Sequence, residues 1–77
     1  MASKLVRLAD MREAAENGEA RRLRLAANLS LGEVARELGV AVPTLLRWET
    51  GERRPRGKAA LRYAGLLEKL AEREQTP

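Results

Sequence analysis

The stretch that decides the fold runs from residue 29 to residue 51 and reads LSLGEVARELGVAVPTLLRWETG. Its first half opens on a capping box, in which the Ser30 hydroxyl accepts from the Glu33 amide and the Glu33 carboxylate accepts from the Ser30 amide. Gly39 tolerates the left-handed conformation with which many helices end. These signals predict a short helix over residues 31–38.

A second short helix follows Gly39 within three residues. Pro43 has no backbone N–H, so it belongs in the first turn of a helix, where that group has no helical partner in any case. Gly51 ends the segment, which predicts a helix over about residues 42–50. Two short helices joined by a glycine-containing turn of three or four residues form a helix-turn-helix, whose second helix lies in the major groove of DNA.

The rest of the chain is also predicted to be helical. Trp48 and Tyr63 are the two aromatic residues of the sequence, and no stretch alternates apolar and polar residues as a strand does. Ala, Leu, Arg and Glu, which favour helices, are abundant. We therefore predict one all-α domain over residues 1–77, a compact bundle of about five helices that contains the helix-turn-helix, with an extra N-terminal helix as an open alternative.

Start and stop signals divide the remaining chain. Ser3 can cap a first helix that runs to about Asn17, although a continuous helix through Gly18 would cost only about 1 kcal/mol. A second helix spans about residues 19–27, and Asn28 is suited to a left-handed position. The last helix is predicted to run from Gly57 or Lys58 to Arg73, followed by a frayed tail over residues 74–77.

The last helix carries two apolar stripes at helical spacing, which are Ala60, Ala64, Leu67 and Ala71, and Ala59, Tyr63, Leu66 and Leu70. One stripe suffices to cover a small core. The second could be covered by the first helix or by a twin subunit, so we expect a homodimer through the C-terminal or N-terminal helix.

The positive charge is concentrated in the middle of the chain. Residues 21–62 hold ten basic and four acidic side chains. Residues 1–20 hold three basic and four acidic side chains, and residues 63–77 hold two basic and three acidic side chains. A basic centre between nearly neutral flanks predicts a localised surface for a polyanion. The acids Asp10, Glu13 and Glu16 lie at helical spacing near Arg7 and Arg12, which predicts surface ion pairs.

Several classes of function are disfavoured. The chain has no cysteine and no histidine, so the commonest metal ligands, thiolate nucleophiles and general bases are absent. We expect no cofactor, no metal, no small-molecule substrate and no enzymatic activity. No apolar run approaches the roughly 20 residues of a membrane span, and charges interrupt residues 1–12, so we expect a cytoplasmic, nucleoid-associated protein.

The residues of the motif also carry a family resemblance. They are Leu29-Ser30, Glu33-Val34-Ala35, Leu38-Gly39-Val40, Thr44-Leu45, Arg47-Trp48-Glu49, Gly51 and Pro55. Together they resemble the Cro and lambda-repressor type of helix-turn-helix domain over about residues 19–70. The resemblance implies a five-helix fold that binds double-stranded DNA, is often dimeric, and holds a buried ion pair, here Arg24 with Glu49.

The candidate DNA-contacting residues are Val42, Pro43, Thr44, Arg47, Arg53, Arg54, Arg56 and Lys58. Ala41 stands where the family often has a capping Ser or Thr, and Val42 and Pro43 stand at base-reading positions without hydrogen-bonding side chains. They can still touch a thymine methyl group. Thr44 offers a hydroxyl, and Arg47 is the best candidate for a guanine or a phosphate. The arginines after the helix are expected to bind phosphates, while Trp48 is expected in the core.

We interpret the chain as a sequence-specific transcriptional regulator of the repressor type. A winged-helix protein similar to MerR or excisionase is an alternative, because residues 33–40 resemble that family too, but it requires a hairpin after the motif. A protein-interaction module, such as an antitoxin or adaptor, is a second alternative. Salt-dependent binding to DNA separates it from the regulator.

Overall fold

The computed structural model describes residues 3–75, and these residues form five α-helices in a body of 33 × 28 × 21 Å. The helices are α1 (Lys4–Glu16), α2 (Glu19–Ala26), α3 (Leu31–Leu38), α4 (Val42–Glu49) and α5 (Gly57–Gln75). No strand occurs within residues 3–75, so the all-α prediction is confirmed. A winged helix would need two strands where α5 lies, which argues against that alternative.

The capping box opens α3 as predicted. The Glu33 amide donates to the Ser30 hydroxyl at 3.0 Å, and the Ser30 amide donates to the Glu33 carboxylate at 2.9 Å. The backbone hydrogen bond from Ser30 lowers the pKa of Glu33, with help from the Ser30 side chain. Gly39 ends the helix with φ +75°. Local sequence signals therefore determine the first helix of the motif.

α1 and α2 are separate helices rather than one. The Ser3 hydroxyl caps α1 by accepting from the Val6 amide at 3.1 Å. Gly18 has φ +87°, a left-handed conformation that residues with a Cβ rarely adopt, so the helix breaks there. Asn28, after α2, has φ 59°, in agreement with its expected left-handed position.

α5 extends two residues beyond its predicted end. The prediction placed the frayed tail at residues 74–77, but Glu74 and Gln75 are helical. The Glu74 carboxylate accepts from two nitrogens of Arg22 on α2, at 2.9 and 3.1 Å. This contact across 52 residues ties the last turn of α5 to the body of the protein. Thr76 and Pro77 lie outside the described residues.

All five helices contribute to a single core. Its buried apolar residues are Met11, Ala15, Ala20, Leu23, Val34, Ala35, Leu38, Leu45, Trp48, Ala60, Tyr63, Ala64, Leu67 and Leu70. Trp48 is therefore a core residue, as expected. α5 is the central element, because α1, α2 and α3 all pack against it.

Both apolar stripes of α5 face other helices of the same chain. Ala64 and Leu67 lie against α1 and α2, where they share a small cavity with Met11 and Leu23. On the other stripe, Tyr63 stacks near Trp48 and Leu66 lies beside residues of α3. Most of the apolar surplus that suggested a second subunit is thus covered within one chain, with Leu66 left half-buried, and the homodimer stays a prediction.

The ion pair of α1 differs from the prediction. Arg7 does not pair with a neighbouring acid of its own helix; it donates two hydrogen bonds of 2.8 Å to Glu68 on α5. These bonds lower the pKa of Glu68 and raise that of Arg7. Sequence spacing within α1 could not reveal a partner 61 residues away.

The uncapped start of α4 offers a test of these local signals. Ala41 has the extended conformation of an N-cap residue (φ −73°, ψ 149°), but its side chain makes no capping hydrogen bond. We expect Ala41→Ser to raise the free energy of unfolding by about 1 kcal/mol, because a hydroxyl there can accept from an amide of the first turn. Urea unfolding measures it. Ser30→Ala should lower stability by a similar amount, and an unchanged or lower stability of Ala41→Ser contradicts the expectation.

Candidate nucleic-acid interface

One face of α4 is buried and the opposite face is open to solvent. Leu45 and Trp48 are 0% and 5% exposed and pack into the core. The exposed face carries Val42, Pro43, Leu46 and Arg47, with Thr44 half-buried at its edge. The four candidate residues of α4 therefore all reach the surface, and Leu46, which the sequence analysis did not single out, lies among them.

A buried ion pair holds the C-terminal end of α4. Arg24 of α2 donates from Nε to Glu49 Oε2 at 2.6 Å and from Nη2 to Oε1 at 2.9 Å. The two side chains are 9% and 2% exposed. This bidentate geometry fixes the distance between the guanidinium and the carboxylate and their relative orientation. Its charge-assisted hydrogen bonds are stronger than bonds between neutral groups. The hydrogen bonds to Glu49 raise the pKa of Arg24.

The same guanidinium also reaches a third element. Arg24 Nη1 donates to the backbone carbonyl of Leu29 at 2.9 Å, in the turn between α2 and α3. A single side chain thus connects α2, the start of the helix-turn-helix and the last residue of α4. We call the bonded set of Arg24, Leu29 and Glu49 the clamp.

An aromatic pair supports the clamp from the core side. The rings of Trp48 and Tyr63 lie 5.4 Å apart in a tilted arrangement. Burial, and to a lesser degree the charge of Glu49, raises the pKa of the Tyr63 phenol. Its hydroxyl has no hydrogen-bond partner within the described part of the chain. The phenol therefore stays neutral beside the clamp and contributes apolar packing.

The segment after α4 turns back onto that helix and presents arginines. The Arg53 amide donates to the Arg47 carbonyl at 3.1 Å, which closes the turn at the end of α4. Pro55 is buried, whereas Arg53, Arg54 and Arg56 on either side of it are exposed. The buried proline anchors the segment and leaves its cationic side chains at the surface.

Arg12 of α1 joins this segment, a contact that no sequence pattern predicted. Its Nε donates to the Pro55 carbonyl at 3.1 Å. Helical spacing within α1 predicted surface ion pairs for Arg12, because that spacing relates only near neighbours along the chain. Because Arg12 and Pro55 lie 43 positions apart in sequence, no local pattern predicts this contact.

These elements enclose an open cleft of about 740 Å³. The residues that line it are Arg12, Thr44, Arg47, Trp48, Glu52, Arg53, Arg54 and Arg56. Five guanidinium groups against one carboxylate make the cleft strongly cationic. Five predicted residues are therefore brought together, while Val42, Pro43 and Lys58 do not line the cleft. Lys58 is exposed in the first turn of α5.

Other basic residues have different surroundings. Arg22 pairs with Glu19 and Glu74, and these contacts raise its pKa. Arg21 and Arg36 are exposed on α2 and α3. Arg22 therefore serves the fold, as an ion-paired link between α2 and α5.

Two features are absent from the described residues. No group of three or more acidic, histidine or cysteine side chains that could hold a metal ion is present within residues 3–75. None of the five helices within residues 3–75 combines the length and the apolar composition that a membrane span requires.

Comparison with known proteins gives one match. A family model described as helix-turn-helix matches residues 21–73, which is more than half of the chain. This range begins in α2 and ends within α5, so α1 and its Arg12 lie outside it. No curated protein and no solved structure gives a significant match.

The clamp makes a direct prediction about stability. Arg24→Met leaves the Glu49 carboxylate buried without its partner, so we expect the free energy of unfolding to fall by about 3–5 kcal/mol. The double variant Arg24→Met/Glu49→Leu should recover much of this loss, because it removes both charges. Urea unfolding followed by circular dichroism measures both.

The exposed pair of Arg7 and Glu68 provides a matched control. Arg7→Met removes the same kind of side chain from a solvent-accessible ion pair, so we expect a loss of at most about 1 kcal/mol. An Arg24→Met variant as stable as Arg7→Met contradicts the role of the clamp.

Proposed function

The chain belongs to the helix-turn-helix family of the Cro and lambda-repressor type, and on this premise we propose that it binds specific sites in double-stranded DNA as a transcriptional repressor. The family establishes a helix-turn-helix DNA-binding regulator, in a group of proteins that are generally not enzymes. The specificity for particular sites, the use of the major groove and the repressor role are the proposal.

The main support for this proposal is the cationic cleft beside the exposed face of α4. Five arginines converge there from α1, α4 and the segment after α4. A duplex offers a regular row of phosphates, and arginine binds phosphate through two parallel hydrogen bonds. The cleft is thus suited to a DNA backbone that runs alongside α4.

The exposed face of α4 is suited to the groove next to that backbone. The major groove is wide enough to admit an α-helix, and base edges there differ for all four base pairs. Arg47 can donate to a guanine or to a phosphate, and Thr44 can donate or accept. The positive end of the α4 dipole, at Ala41, favours a nearby phosphate.

The clamp gives this arrangement its rigidity. Base contacts demand that side chains stay within a fraction of an ångström of their partners, which a loosely packed eight-residue helix cannot guarantee. Arg24 and Glu49 fix the far end of α4, and Leu45 and Trp48 fix its inner face. The helix can then enter a groove without losing its orientation to the arginines.

Selection of bound sequences from a random duplex pool tests the proposal. We expect enrichment of a defined site, and two inverted half-sites about 34 Å apart if a homodimer binds. Affinity for that site should fall steeply with salt. A chain that enriches no site and shows no salt-dependent binding to DNA refutes the proposal and favours the protein-interaction alternative.

Two arginines should have separable effects on binding. Arg47→Ala should lower affinity and, if Arg47 contacts a base, relax the preference at one position by about 1–3 kcal/mol. Arg54→Ala should weaken binding to all sequences alike and reduce the salt slope by about 0.9, because it removes one phosphate contact. Fluorescence anisotropy at several salt concentrations measures both. Equal effects on selected and random DNA for Arg47→Ala would show that it contacts only the backbone.

Arg12 should behave as part of the same surface although it lies outside the family match. We expect Arg12→Ala to weaken DNA binding and to reduce the salt slope, because the cleft loses one cation and Pro55 loses a hydrogen bond. Arg7→Ala is the matched control, since it removes the same charge from α1 at a site away from the cleft. Equal affinities of the two variants would contradict a specific role for Arg12.

A further inference from the structure

The exposed face of α4 carries two aliphatic side chains that the core does not use. Val42 and Leu46 are 41% and 47% exposed, and they stand one helical turn apart. Leu45, next to Leu46 in sequence, is fully buried and supplies the packing of the helix. The open side of α4 is therefore apolar where a solvent-exposed helix ordinarily carries polar residues.

The surroundings of this aliphatic pair restrict what can cover it. Arg47 follows Leu46 in sequence and lines the cationic cleft, together with four other arginines. An occupant that satisfies both parts must be a polyanion that also offers small apolar groups near its charges. Duplex DNA meets this description, because the thymine 5-methyl group is the apolar feature that base edges present in the major groove.

We infer that Val42 and Leu46 are specificity-determining residues that bind thymine methyl groups, so that the preferred site contains A·T pairs opposite the outer face of α4. This inference rests on the proposed DNA-binding function. Neither side chain can hydrogen-bond a base, so selectivity at these positions comes from burying a methyl group against an aliphatic surface.

The spacing of the pair suits neighbouring bases. Residues four apart on a helix are separated by about 6 Å along its axis. Bases on one strand follow each other at about 3.4 Å. The two side chains can thus contact thymines that lie one or two steps apart.

The same surface discriminates against RNA. Uracil lacks the methyl group of thymine, and the deep, narrow major groove of an A-form duplex does not admit protein side chains. An apolar helix face next to a phosphate-binding cleft therefore favours DNA over RNA of the same sequence.

Replacement of thymine by deoxyuridine tests the inference with the full chain, because it removes the methyl group and leaves base pairing intact. Each thymine of the selected site is replaced in turn, and affinity is measured by anisotropy. We expect about a fourfold loss at one or two neighbouring positions, the effect of one buried methyl group, and little change elsewhere.

Protein variants assign the effect to particular side chains. Val42→Ser and Leu46→Ser remove every methyl group from two exposed positions, so both variants should fold while losing the aliphatic surface that would contact thymine. Each should weaken binding to the thymine site and lose the difference between thymine and deoxyuridine at one position. Leu25→Ala is the control, since Leu25 is equally exposed on α2, and it should retain both affinity and the difference.

The outcomes separate this inference from the proposed function. A chain that binds its selected site but ignores deoxyuridine overturns the inference and leaves the DNA-binding function standing. If Val42→Ser and Leu46→Ser keep the full sensitivity to deoxyuridine, the inference is also overturned. If the chain selects no DNA site, both the inference and the proposed DNA-binding function are refuted. The aliphatic pair would then be a contact for another protein.

Discussion

The buried ion pair between Arg24 and Glu49 is the interaction on which the arrangement of the motif depends. A salt bridge away from water is weak evidence for stability, because the attraction is offset by the loss of hydration. Its value here lies in geometry: two parallel bonds to Glu49 and one to the Leu29 carbonyl fix three elements relative to one another. Leu45 and Trp48 pack the inner face of α4 into the core, and the ion pair adds directional bonds at its C-terminal end.

Local signals predicted the motif well because its helices are short and sharply bounded. The bounds of α3 depend on Ser30, Glu33 and Gly39, all within ten residues of one another, and the start of α4 depends on Pro43. The pairing of Arg24 with Glu49 came from the family resemblance. Contacts between distant segments were not predicted, and they are Arg7 with Glu68, Arg12 with Pro55, and Arg22 with Glu74. Each depends on how α1, α2 and α5 pack, and no short-range pattern contains that information.

These distant contacts change the picture of the binding surface. From sequence, the surface consisted of α4 and the arginines after it. The fold adds α1, whose Arg12 reaches the same cleft, and it shows that Leu46 extends the apolar tip of α4. The surface thus combines a cationic side suited to phosphates with an aliphatic side suited to methyl groups, and the clamp holds the end of α4, the helix that contributes to both sides.

The most direct test of a DNA interface formed by α4 and the arginine cleft is a nuclear magnetic resonance titration of the full chain, labelled with ¹⁵N, with a duplex that contains its selected site. We expect the largest shifts at the amides of residues 42–58 and at the Arg12 Nε–H. The amides of Leu5 and Leu25, exposed elsewhere on the surface, should change little. Large shifts at the Leu5 and Leu25 amides, with no shifts in α4 or in the arginine cleft, would contradict a DNA interface at α4.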